Sequence, residues 1–64
     1  MLNIAERRRE LDISQAELAK KLGVNQSTVA GWELGERTPK LSRLIQVAKF
    51  FGCTIDELIK KEDT

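Results

Sequence analysis

The chain contains no histidine and no tyrosine, and only one cysteine, one proline and one tryptophan among its 64 residues. Each shortage removes a class of function. Without an imidazole, the commonest general base and the commonest metal ligand are both missing. Cys53 therefore has no histidine to activate it as a nucleophile. A lone cysteine also rules out an internal disulfide, fits a reducing compartment, and reads as a buried packing thiol. No apolar run approaches the roughly 20 residues that a membrane-spanning helix needs, and no apolar signal-peptide core follows Met1. Strand-like alternation, internal repeats, linkers and low-complexity tracts are absent too. The expectation is a cytoplasmic, non-enzymatic chain with no cofactor, no metal, no membrane partner and no evident small-molecule site.

What is present is ordinary in amount and telling in arrangement. A hydrophobic content of 41% and a charged content of 33% suit a folded globular domain. At this length the chain reads as one domain over residues 1–64, with its core in about 2–60, and such a small core is marginal without good helix packing. The net charge is only +1, but its distribution is uneven. Residues 1–55 carry nine Lys or Arg against six Asp or Glu, whereas residues 56–64 carry two against four. The basic surplus lies in the body, where a nucleic acid could meet it, and the acidic surplus lies in a tail expected to fray.

The apolar spacing predicts five helices and an all-α fold. The first covers about residues 3–11, with Ile4, Arg8 and Leu11 on its inward stripe and Leu2 and Ala5 beside them. An arginine on that stripe requires a carboxylate partner, since an unpaired buried charge is costly. Ser14 and Glu17 form a capping-box pattern that opens the second helix. Leu18, Ala19 and Leu22 form its inner face, and Gly23 stops it. Asn25 is placed to cap a third helix that ends at Gly35, with Val29 and Trp32 inward and Gln26, Ser27, Ala30, Gly31 and Leu34 on the opposite side. Thr38-Pro39 breaks the chain. A fourth helix follows over about 40–51, with Leu41, Leu44, Ile45, Ala48 and Phe51 on one stripe and Gly52 as stop. Thr54 and Glu57 repeat the capping box for a fifth helix, which buries Ile55, Leu58 and Ile59. Only Gly23 and Val24 separate the second helix from the third. So short a joint forces a steep crossing and leaves the third helix standing out from the domain. The small Ala19, the turn residue Gly23 and the plugs Val29 and Trp32 suit such a crossing.

The segments ISQAELAKKLGV, NQSTVAGWELGERTP, LIQVAKFFG and TIDELI follow one another in an order and spacing that resemble the Cro/Xre family of helix-turn-helix transcriptional regulators, which have the lambda-repressor-like fold. The resemblance covers about residues 2–60. It implies double-stranded DNA as the partner, with the third helix in the major groove and base contacts from Gln26, Ser27, Ala30 and Gly31. Gln26 can pair bidentately with adenine, and Ser27 can bond several bases. Phosphate contacts are implied at Gln15, Asn25, Arg37, Thr38, Lys40 and Arg43, with Ser42 beside them. Arg8 and Glu33 are implied to pair as a structural ion pair between the first and third helices. The chain departs from the family pattern at two places. Gly31 stands where many relatives carry a base-reading side chain, and Glu36 stands where relatives often carry lysine. Both changes weaken the expected affinity of one subunit, so the resemblance implies a repressor that binds a palindromic operator as a homodimer. Val47, Phe50 and Ile59 form an apolar set that reads either as the dimer surface or as ground covered by the tail. An antitoxin-like protein-interaction module, with DNA binding secondary, is the alternative.

Overall fold

A computed structural model describes residues 2–59, in which the chain forms α1 (Ile4–Glu10), α2 (Gln15–Leu22), α3 (Gln26–Leu34), α4 (Leu41–Phe51) and α5 (Ile55–Leu58). Lys60–Thr64, and with them the expected fraying and most of the acidic tail, lie outside the described residues. The ends of the helices follow local chemistry. The Ser14 hydroxyl accepts from the Glu17 amide while the Glu17 carboxylate accepts from the Ser14 amide, both at 3.0 Å. Thr54 and Glu57 repeat this box before α5. These hydrogen bonds from Ser14 and Thr54 hold the Glu17 and Glu57 carboxyls below their ordinary range. Gly23 and Gly35 end α2 and α3 with φ of 73° and 77°, a backbone region closed to most side chains. Between α1 and α2 the turn runs through Asp12 at φ 56°, which a short polar side chain tolerates.

The core joins all five helices: Ile4 from α1, Leu18, Ala19 and Leu22 from α2, Val29 and Trp32 from α3, Val47 and Ala48 from α4, and Leu58 from α5. The two ends of the described segment meet. Leu2 forms an antiparallel bridge with Ile59, and the Asn3 amide donates to the Leu58 carbonyl at 2.9 Å. Asn3 Nδ2 and Arg7 Nη2 both donate to the Glu57 carbonyl, at 2.7 and 3.3 Å, and so close the short α5 onto α1.

Four expectations require correction. Leu11 is 53% exposed, because α1 stops at Glu10 and the chain turns into Asp12 before the helical spacing can carry Leu11 inward. On α4, Leu41 is 66% exposed and Ile45 is also exposed, whereas Val47 is fully buried. Seven of the eleven residues of α4 are apolar, so its spacing fits more than one inward stripe. The choice is made by Arg43 and Gln46, which both reach the α2 C-terminus and turn Val47 inward with them. Ile59 is exposed rather than buried. Asn25 holds the N-cap position of α3, but its side chain makes no capping hydrogen bond; its carbonyl accepts from the Thr28 amide at 3.0 Å instead.

Candidate nucleic-acid interface

The turn between α2 and α3 fixes how α3 is presented. The Gly23 and Val24 amides return to the carbonyls of Lys20 and Ala19, at 3.3 and 3.0 Å, which satisfies two of the last four carbonyls of α2. Ala19 is buried where α2 and α3 meet, and the fully buried Val29 and nearly buried Trp32 fix the inner side of α3. A methyl group at residue 19 lets the two backbones approach. Arg43 Nη1 and Gln46 Nε2 from α4 both donate to the Leu22 carbonyl, at 3.0 Å each, so the end of α2 is tied to the fourth helix as well.

A polar network secures the other end of α3. Arg8 Nε donates to Glu33 Oε2 at 2.8 Å and Nη2 donates to Oε1 at 3.1 Å, a bidentate fork. Nη1 of Arg8 donates to the Ile13 carbonyl at 2.9 Å, and Gln15 Nε2 donates to Glu33 Oε1 at 3.0 Å. The side chains of Arg8 and Glu33 are only 12% and 7% exposed. Burial alone would push the Glu33 carboxyl up. The hydrogen bonds from Arg8 and Gln15, with the charges of Arg8 and Arg9, outweigh it and hold the carboxyl below its ordinary range. The network thus joins α1, α2 and α3, and it fixes the angle at which α3 leaves the body.

The outer side of α3 is open. Asn25, Gln26, Ser27 and Leu34 are exposed and Ala30 is half-buried. Among the described residues, none of the side chains of Asn25, Gln26 and Ser27 is hydrogen-bonded within the chain. Thr38, Lys40 and Ser42 are exposed at the entry to α4. Three other residues singled out in the sequence have different surroundings. Gly31 is buried, because the side chain of Arg37 lies over it. Arg43 is half-buried and occupied with the Leu22 carbonyl and with Gln46 Oε1, at 2.7 Å. Gln15 turns its amide to Glu33 and makes no hydrogen bond to Gln26. Among the described residues, no group of three His, Cys, Asp or Glu side chains could hold a metal ion, and no helix is long and apolar enough to cross a membrane.

This geometry is one that a known family shares: the helix-turn-helix family model matches residues 4–58. The chain belongs to the helix-turn-helix family, in its Cro/Xre branch. This helix-turn-helix chain is 38% identical over 61 residues to the cryptic phage CTXphi transcriptional repressor RstR of Vibrio cholerae, covering 95% of this chain and 55% of that protein. It is 40% identical over 52 residues to an uncharacterized HTH-type transcriptional regulator of Methanocaldococcus jannaschii, covering 81% of this chain and 79% of the relative. It is also 37% identical over 57 residues to the repressor protein C2 of Salmonella phage P22, covering 89% of this chain but 26% of that protein. The chain thus spans about half the length of the Vibrio relative and a quarter of the phage P22 one. The family is a helix-turn-helix one, and these relatives are transcriptional regulators and repressors rather than enzymes.

Sequence reasoning missed the clamp of Arg43 and Gln46 on α2 and the seat of Arg37 on Gly31. A signal existed for the first. The carbonyls at the end of α2 need donors, and Arg43 and Gln46 stand three residues apart on one side of α4. No local pattern announces the second, since it depends on how the loop after Gly35 folds back.

Proposed function

We propose that this helix-turn-helix chain is a cytoplasmic, sequence-specific regulator that binds double-stranded DNA with α3 in the major groove, and that it represses transcription from a palindromic operator as a homodimer. The observation that carries this reading is the contrast between the two sides of α3. The inner side is held by Val29, Trp32 and the Glu33 network, while the outer side keeps its polar groups unbonded. A helix so fixed and so unencumbered enters a groove with little loss of freedom. Gln26 pairs with adenine, Ser27 bonds a second base, and Ala30 and Leu34 meet thymine methyls. Asn25, Thr38, Lys40 and Ser42 bond phosphates, and the second amide hydrogen of Gln15 is left for one more. The names of the Vibrio and phage P22 relatives favour repression. With Val47 buried, Leu41, Ile45 and Ile59 are the apolar surface available to a second copy.

Selection from random duplexes, followed by a salt titration of the enriched site, tests this reading. Specific binding gives an enriched site made of two half-sites about 10 base pairs apart, with log K falling linearly against log salt. If no duplex is enriched at low salt, DNA binding as the function is refuted. If one half-site alone is bound as tightly as the full site, only the homodimer is.

A further inference from the structure

Of the four glycines, three have positive φ and open space around them; Gly31 has neither. Its backbone is ordinary helix, where alanine would be more stable. A β-carbon at Gly31 would lie 2.9 Å from Cδ of Arg37, 3.0 Å from its Cγ and 3.4 Å from its Cβ. The absent side chain is therefore the seat of another residue's stem. The loop after Gly35 winds back to make this contact. The Gly31 carbonyl accepts from the amides of Glu36, at 2.9 Å, and Arg37, at 3.2 Å.

The stem crosses the side of α3 that faces away from the core. Gly31 stands one turn after Ser27 and three residues before Leu34, both exposed. The guanidinium it carries is unoccupied. Arg8 is bound to Glu33, Arg43 to Leu22 and Gln46, and Arg7 to the Glu57 carbonyl, but Arg37 has no hydrogen bond or ion pair among the described residues. A planar fork on a stem held flat against the recognition helix is suited to a base edge, because its aim is set before binding. We propose that Arg37, seated on Gly31, reads a guanine through O6 and N7 in the major groove and so replaces the reading side chain that residue 31 lacks. This rests on the DNA-binding reading above and replaces the phosphate contact that resemblance implied for Arg37 with a role as specificity determinant.

The test compares wild type with Arg37→Ala, Arg37→Lys and Gly31→Ala. Each is measured on the duplex that wild type selects, on its single-base-pair variants and on a random duplex, across a salt series. Both Arg37 variants should lose discrimination at one G·C pair by roughly 5- to 150-fold, the range expected for one bidentate contact, with the other positions unchanged. Arg37→Lys should keep the wild-type salt slope. Gly31→Ala keeps every charge and favours the helix, yet should lose discrimination at that same pair because it displaces the stem, while melting no lower than wild type. The proposal is overturned if Arg37→Ala weakens selected and random duplexes alike and lowers the salt slope by about one, the mark of a phosphate contact. It is equally overturned if discrimination at every pair survives in Arg37→Ala. If wild type enriches no duplex at all, the DNA-binding reading itself falls and takes this one with it, an outcome visible before any variant is compared.

Discussion

Replacing Glu33 by alanine should remove much of the stability of this fold. The carboxylate accepts a two-point fork from Arg8 and a third hydrogen bond from Gln15, with both charged side chains largely out of water. Truncation leaves Arg8 with only the Ile13 carbonyl and leaves the Gln15 amide without its acceptor. Removing one member of a buried pair costs about 3–5 kcal/mol, and charge-assisted hydrogen bonds are worth about 1.5–3 kcal/mol. Since this pair keeps some contact with water, a loss of about 2–4 kcal/mol is expected. A 64-residue chain holds about 3–10 kcal/mol in total, so Glu33→Ala should lower the melting temperature by about 10–25 °C or leave the chain partly unfolded. The double replacement Arg8→Met with Glu33→Leu should recover most of that loss, because neither charge is then stranded. Trp32 is buried beside the network and is the only tryptophan, so its emission in a urea titration reports the transition directly. The sign of the pH dependence follows from the Glu33 carboxyl, which lies below its ordinary value of 4.5 when folded. The stabilisation is complete above that ordinary value and is lost as pH falls through the lower folded value. Glu33→Gln should therefore be less stable at neutral pH and show a flatter decline in acid. If Glu33→Ala costs less than about 0.5 kcal/mol, as an exposed ion pair would, the network does not organise α3.

Other outcomes are expected at separate places. Ser14→Ala removes the acceptor for the Glu17 amide and should cost about 1 kcal/mol in urea melts; no loss would mean that α2 does not depend on its cap. Leu18→Ala opens a fully buried site and should cost about 2–5 kcal/mol, with a loss under 1 kcal/mol refuting the packing. Gln26→Ala should relax preference at one base pair at unchanged thermal stability, and an unaltered selection profile would remove Gln26 from the reading. Lys40→Ala should weaken all duplexes alike and reduce the salt slope by about one; a position-specific loss would contradict a phosphate role.

The sequence was most legible where structure is decided locally. Both capping boxes, the glycine stops after α2, α3 and α4, and the inward set Leu18, Ala19, Leu22, Val29 and Trp32 follow from patterns within a few residues. The need of Arg8 for a carboxylate was also readable, because its position on an apolar stripe demands one; that the carboxylate is Glu33 came from resemblance. What was not legible depended on contacts between distant segments. The inward side of α4 turns on two side chains reaching a carbonyl at the end of α2. The burial of Gly31 turns on a loop that returns to it. Gln15, eight residues before the turn at Gly23 and eighteen before Glu33, is a phosphate contact by resemblance and becomes part of the network only once α3 crosses α2.

These two kinds of contact divide α3 into sides with different experimental signatures. Changes on the inner side, at Val29, Trp32 or Glu33, act on folding and would abolish binding to every duplex together. Changes on the outer side, at Gln26 or Ser27, touch no internal contact and should alter preference at constant stability. Gly31 is where the two sides meet. Alanine there favours the helix but displaces Arg37, so stability and discrimination should move in opposite directions. In a chain with only a few kcal/mol to lose, a helix-interior glycine is a continuing cost. Packing in the core does not require it, since the space it leaves is filled by an exposed arginine from outside. The cost is accounted for if the arginine so placed has work beyond folding, and the outer side of α3, with few hydrogen-bonding groups of its own, is where that work would be done.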